Sequence, residues 1–212
     1  MKTNIKLAII GGTGKAGKYL VKQLIFREIS FKLLHRNPDS LQLQHPFMEL
    51  VKGDARNYEA IERLLDGCNA VISTIGQPVG EPSIFSIATK NVLHAMRHFN
   101  IRRYIAITGL NVDTPLDNKS PETKFGTEWM YQNYPKTTAD KQLEYNLLVN
   151  SDIKWTLVRL PIIQQTDENT PINIDITDCP GDFISATSLA NFIIAQLKSD
   201  EFVMKAPFIA NR

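Results

Sequence analysis

Cysteine is nearly absent from the 212 residues, which contain only Cys68 and Cys179. The pair matches no metal-ligand spacing and is too small for a disulfide framework, so neither a structural metal module nor a disulfide-stapled scaffold is expected. Charge of one sign is also scarce. Lys and Arg number 24 against 22 Asp and Glu, and no basic run exceeds Ile101-Arg102-Arg103, so an electrostatic footprint for nucleic acid is missing. Long apolar runs are missing too. The longest, such as Leu7 to Ile10, cover four or five residues, far short of a membrane-crossing helix. No cationic leader with an apolar stretch and a small-residue cleavage site opens the sequence, and a reducing cytoplasm is the expected compartment. The four histidines, His35, His45, His94 and His98, do not cluster, so neither metal nor histidine-base chemistry is expected.

What is present is an ordinary globular composition, 43% hydrophobic and 22% charged, of a length suited to one domain over residues 1–212. Strand-like and helix-like segments alternate. Ile5 to Ile10 reads as a strand buried on both faces, and Ala16, Leu20, Val21, Leu24 and Ile25 then repeat at helical spacing. Phe31 to Leu34, Met48 to Val51, Ala70 to Ile75, Tyr104 to Thr108 and Trp155 to Arg159 read as further strands. Between them, helices are expected over Tyr58 to Leu65, along the stripe Ile84, Ala88, Val92, Ala95 and Phe99, and around Ala139, Leu143 and Leu147. The polar stretch from Asn111 to Gly126 reads as an irregular loop. Ile172, Ile174 and Ile176 alternate like a half-buried strand, Leu189 to Leu197 reads as a last helix, and Phe202 to Ile209 as a last strand. Repeated strand–helix units with almost no hairpin signals imply an α/β fold. Its expected form is a doubly wound parallel sheet with helices on both faces, and a small substrate-covering lobe built past Asn111.

The first strand runs into Gly12-x-Gly14-x-x-Gly17, with Gly11-x-x-Gly14-x-x-Gly17 in the same window. Between an apolar strand and an amphipathic helix, this pattern has a mechanism. One glycine permits the tight turn, another lets a pyrophosphate approach the backbone, and Gly17 lets helix and sheet pack closely. The free N–H groups and the positive end of the helix dipole then attract phosphate. The alternative is a structural turn without a ligand, which would weaken a helix start for no packing gain. An NAD site carries Asp or Glu at the end of the second strand for the ribose 2′-OH. Here that tip is Leu34-His35-Arg36-Asn37, with no acid, and the Arg36 fork suits a 2′-phosphate. NADP(H) is therefore expected over NAD(H), the alternative being that Arg36 is a solvated charge.

Seven motifs in order carry a family resemblance: Gly11-Gly12-Thr13-Gly14-Lys15-Ala16-Gly17, His35-Arg36-Asn37, Val51-Lys52-Gly53-Asp54-Ala55, Asp66-Gly67-Cys68-Asn69-Ala70-Val71-Ile72, Thr74-Ile75-Gly76, Ile101-Arg102-Arg103-Tyr104-Ile105 and Trp155-Thr156-Leu157-Val158-Arg159-Leu160-Pro161. With them the chain resembles an atypical short-chain dehydrogenase/reductase with a Rossmann-like sheet, of the NAD(P)H-binding group containing biliverdin/flavin reductases and NmrA-like regulators. The resemblance implies that Thr13, Gly14, Lys15 and Ala16 cradle the pyrophosphate and Arg36 the 2′-phosphate. It puts Asp54 and Ala55 beside the adenine and Ile75, Gly76 and Gln77 beside the ribose. Thr108, Gly109 and Leu110 would lie near the nicotinamide, with Leu160, Pro161 and Ile162 over its carboxamide side. Plain alternatives are that Asp54 caps the next helix and Pro161 ends a strand.

The Tyr-x-x-x-Lys pair of the main short-chain dehydrogenases, in which lysine lowers the tyrosine pKa, is not in the sequence. Thr108 stands where those enzymes have a serine. Lys141 falls where the family often has a lysine, with Glu144 three residues on, and Tyr134 reaches the same side if its helix begins early. The plainer reading of Lys141 and Glu144 is an exposed ion pair. A reductase transferring hydride to a flavin, quinone, tetrapyrrole or reactive carbonyl needs no tyrosine acid, because solvent can supply the proton. That reading is preferred, with an NADP(H)-binding sensor that acts on a partner protein as the alternative. Expected partners are a small-molecule substrate, with no nucleic acid and no membrane, and the chain is expected to be a monomer or homodimer.

Overall fold

The first apolar run forms β1 (Lys6–Ile10), and its alternate side chains enter two different cores. Leu7 and Ile9 join the cluster containing Leu20, Leu24 and Ile193, whereas Ala8 and Ile10 join that of Ile61, Val92 and Leu157. A strand covered on both faces needs an unbroken apolar run rather than alternation. Each fully buried Leu or Ile of this kind contributes about 1.5–3 kcal/mol. The computed structural model describes residues 5–38, 41 and 44–212 of the chain.

After β1 the order is α1 (Gly17–Phe26), β2 (Ser30–His35), β3 (Met48–Lys52), α2 (Tyr58–Leu65), β4 (Ala70–Ser73), α3 (Phe85–His98), β5 (Arg103–Gly109), α4 (Pro121–Asn133), α5 (Pro135–Val149), β6 (Lys154–Leu160), β7 (Ile162–Gln164), β8 (Ile172–Asp175), β9 (Phe183–Ser185), α6 (Ala186–Ala195) and β10 (Phe208–Asn211). Eight strands build one sheet in the order β3-β2-β1-β4-β5-β6-β10-β8. All neighbours are parallel except β10 and β8. Helices α2, α3 and α5 pack on one face, α1 and α6 on the other. The order reverses between β1 and β4, and ligands of open α/β sheets bind outside the strand ends at such a reversal. Among the described residues, no helix is long and apolar enough to cross a membrane.

Two expected elements differ, and one is new. The stretch from Asn111 to Gly126 becomes helical at Pro121, which follows the N-cap Ser120, whose Oγ accepts from the Thr123 N–H at 3.3 Å. This helix leaves Phe125 and Trp129 exposed, so no clear apolar stripe announces it. The last strand is confined to Phe208–Asn211, because the chain turns before it with Met204 at φ +57°. A short separate sheet of parallel β7 and β9 was not expected, and through Ile162 and Ile163 it lies over the carboxyl ends of the main strands.

Candidate functional site

The carboxyl ends of β1, β2, β4, β5 and β6 open into a cavity of about 850 Å³, within the range of cofactor and small-molecule sites. Its floor is the glycine turn. Gly11 sits at φ +78°, and a Cβ there would lie 2.7 Å from the backbone of Ile75, so only glycine lets the loops after β1 and β4 touch. A Cβ on Gly17 would collide with the Gly11 carbonyl oxygen, the close helix–strand packing expected of that position. Gly12 is likewise packed under Leu33 and Val21. That carbonyl of Gly11 also accepts from the Gly14 N–H at 3.0 Å and from the Thr74 hydroxyl at 3.1 Å, which fixes the turn. Among the described residues, no side chain caps α1 and no acid stands in its first turn. The positive end of its dipole lies at the cavity, where Thr13, Gly14, Lys15 and Ala16 line the wall.

At the β2 end, the wall is made by His35, Arg36, Asp54 and Ala55. Arg36 is not a lone solvated charge. Its Nη1 lies 2.6 Å from Oε1 of Glu81, whose Oε2 is 3.0 Å from Nη1 of Arg56. The contact with Glu81 raises the Arg36 pKa, and reciprocally holds the Glu81 carboxyl below its ordinary value. Asp54 accepts from the Arg56 backbone N–H at 2.8 Å and lies 3.4 Å from its guanidinium. It does not cap α2, whose N-cap is Asn57. Sequence reading missed Arg56 and Glu81. Arg56 stands one residue past a quoted motif, whereas Glu81 comes from a loop whose path only the fold reveals.

Beside β4, Ile75, Gly76 and Gln77 line the cavity, and Gln77 donates to the Glu81 carbonyl at 2.8 Å while its Oε1 is buried without a partner among the described residues. Beyond it lie Thr108, Gly109, Lys141, Leu160, Pro161 and Ile162. Thr108 is 4% exposed, and its Oγ1 has no partner among the described residues, an orphan that a bound group would satisfy. A Cβ on Gly109 would approach Lys141 Nζ at 3.5 Å. Lys141 Nζ stands 4.9 Å from the Phe85 ring centroid, and burial pulls its pKa down against the pull of Glu144. Thr108 pairs in register with Arg159 on β6. That wholly buried guanidinium meets Asp117 at 2.6 Å and the Val112, Ala206 and Ile176 carbonyls at 3.2, 2.8 and 3.0 Å, anchoring the loop after β5.

Two catalytic expectations are altered. Tyr134 does not line the cavity: it lies between α4 and α5, half exposed, with its ring 5.7 Å from that of Trp129. Lys141 and Glu144 are not an exposed ion pair. Glu144 is 1% exposed on the face of α5 that packs against α3, accepting from the Thr89 hydroxyl at 2.8 Å. Burial pushes its carboxyl up to about 7, although the Thr89 hydrogen bond and the Lys141 charge act the other way.

A doubly wound sheet with a glycine turn after β1 and a cleft along its strand ends defines a Rossmann-like fold. The family described as NAD(P)H-binding matches residues 11–200, and the chain belongs to it. Photosystem II assembly factor Ycf39 of Trieres chinensis is 27% identical over 204 residues, 93% of this chain and 61% of that protein. The chain thus spans about three-fifths of that relative's length. A short-chain dehydrogenase/reductase of Veillonella parvula, solved in complex with NADP, has TM-score 0.78 at 16% identity, over 98% of this chain and 94% of that one. ChuY, an anaerobillin reductase of Escherichia coli O157:H7, has TM-score 0.79 at 15% identity, over 97% of each chain. Likeness to these two structures shows the fold. The residues present fit an NAD(P)H cofactor: the α1 end is uncapped, its glycines leave no room for side chains, and the Thr108 hydroxyl is partnerless among the described residues.

Proposed function

We propose that the chain is an NADPH-dependent reductase passing hydride to a conjugated small-molecule acceptor: a flavin, quinone, tetrapyrrole or reactive carbonyl. The observation that carries this reading is one cleft in which the glycine turn, Arg36, the Thr108 hydroxyl and Lys141 meet. Gly11, Gly12 and Gly17 shape the turn so that Thr13, Gly14, Lys15 and Ala16 hold the pyrophosphate at the α1 N-terminus. Arg36 takes the 2′-phosphate, Asp54 and Ala55 flank the adenine, and Ile75, Gly76 and Gln77 pass beside the ribose. Thr108 and Gly109 lie by the nicotinamide, over whose carboxamide side Leu160, Pro161 and Ile162 close.

The cofactor, when bound, supplies the hydride. The chain's part is to hold the acceptor against it, exclude water with Ile84, Ile107 and Ile163, and offer a proton. Lys141 makes that offer: a half-buried ammonium with a lowered pKa gives up a proton more readily to an acceptor oxygen or nitrogen gaining negative charge. Thr108 donates a hydrogen bond to the same atom or to the nicotinamide amide. ChuY, alike in fold, is a reductase, which supports the reaction type.

The test is NADPH oxidation with a panel of these four acceptor classes. At least one should be reduced, and Lys141→Met should lower that turnover about a hundredfold while changing NADPH affinity by less than about threefold. Tight NADPH binding with no turnover of any acceptor would replace the reductase by a catalytically silent NADP(H)-binding sensor.

A further inference from the structure

Glu81 is a carboxylate at the lip of a cleft that is otherwise arranged for anions. It belongs to the loop between β4 and α3. There Gly80 at φ +73° makes the bend, the Glu81 N–H donates to the Pro78 carbonyl at 3.4 Å, and the Gln77 side chain donates to the Glu81 carbonyl at 2.8 Å. The loop is tied down further by Arg56, whose Nη2 donates to the Pro82 carbonyl at 2.8 Å. The Glu81 side chain is thereby carried across to the tip of β2, where Arg36 and Arg56 share its two oxygens at 2.6 and 3.0 Å. With Asp54, the cluster holds two guanidinium groups and two carboxylates, so its charges already balance.

We propose that Glu81 sets the choice of nicotinamide cofactor, by occupying on Arg36 the seat that a 2′-phosphate would take. The inference rests on the reading that this cleft takes NAD(P)H with its adenosine end at Arg36. A phosphate of nearly two negative charges cannot take both arms of the Arg36 fork while Glu81 holds Nη1, and the carboxylate beside it repels it. A ribose 2′-OH has no such conflict. It donates to the Glu81 carboxylate while the ion pair with Arg36 stands, which is the part an acid at the end of the second strand plays in NAD sites. Here the tip of β2 has no acid, and the carboxylate arrives from another strand's loop. The chain therefore accepts both cofactors, and its preference for NADPH is smaller than Arg36 alone would give.

The test uses the whole chain and four probes: NADPH, NADH, 2′,5′-ADP and 5′-AMP. Glu81→Gln keeps the loop's backbone contacts and removes the charge. It should tighten NADPH and 2′,5′-ADP by roughly three- to tenfold, and weaken or leave unchanged NADH and 5′-AMP. In an Arg36→Ala background the same substitution should leave the NADPH-to-NADH ratio within about twofold, because Glu81 acts through Arg36. An unchanged ratio in Glu81→Gln, or weaker NADPH binding, overturns this inference alone. Wild-type chain that binds none of the four probes overturns both it and the nucleotide reading of the cleft.

Discussion

Replacing Glu144 by glutamine removes one titrating proton from the interface of α3 and α5 while keeping nearly the same shape. The carboxyl is 1% exposed, one oxygen accepts from Thr89, and the other has no partner among the described residues. Burial lifts its pKa from 4.5 to about 7, so the folded state holds this proton over a range in which the unfolded chain has released it. A folded-state pKa above the unfolded one contributes stability that is complete below about pH 4.5 and lost as pH rises through about 7. A shift of this size corresponds to about 3 kcal/mol. Glutamine does not titrate, so its amide adds a constant offset of about 1–3 kcal/mol at most and no slope. The difference in unfolding free energy between Glu144→Gln and wild type should therefore move in favour of the variant by about 3 kcal/mol from about pH 4 to about pH 8. Urea unfolding followed by the fluorescence of Trp155, buried in the core, measures it. A difference constant with pH to within about 1 kcal/mol would mean that Glu144 holds no extra proton in the folded state.

Asp117→Ala should destabilise the fold by about 3–5 kcal/mol in the same assay, because it strips the wholly buried Arg159 guanidinium of its carboxylate. Gly17→Ala should raise the NADPH dissociation constant by more than about tenfold, since its methyl collides with the Gly11 carbonyl and opens the turn. Binding within about twofold of wild type would contradict that reading of Gly17. Thr108→Val, nearly isosteric, should leave stability unchanged or raise it by about 1 kcal/mol, because the hydroxyl it removes is buried without a partner among the described residues. The same variant should lower turnover by about tenfold or more, read as kcat on the best acceptor.

The elements around the glycine turn were legible because local signals agree there. An apolar run of both-face burial, three glycines with separate steric reasons and a helical stripe all point one way, and β1 and α1 followed. Where local signals are weak, the fold was not legible. Helix α4 has only its Ser120 cap and Pro121, with Phe125 and Trp129 left outside. Glu144 looks like the partner of Lys141 at helical spacing, and only the packing of α3 against α5 turns it inward. Arg36 was readable as a cation at the tip of β2, but Glu81 opposite it depends on a loop 45 residues further on. Charge partners that meet across such distances are set by topology rather than by neighbouring residues.

On the proposed function, the cleft along the strand ends binds NADP(H) through Arg36. Equilibrium titration of wild type and Arg36→Ala with NADPH and NADH, followed by nucleotide fluorescence, tests it most directly. Saturable binding of one NADPH per chain is expected, and Arg36→Ala should weaken NADPH by about tenfold more than NADH. No binding of either nucleotide up to about millimolar concentration, or equal losses of the two in Arg36→Ala, would contradict it.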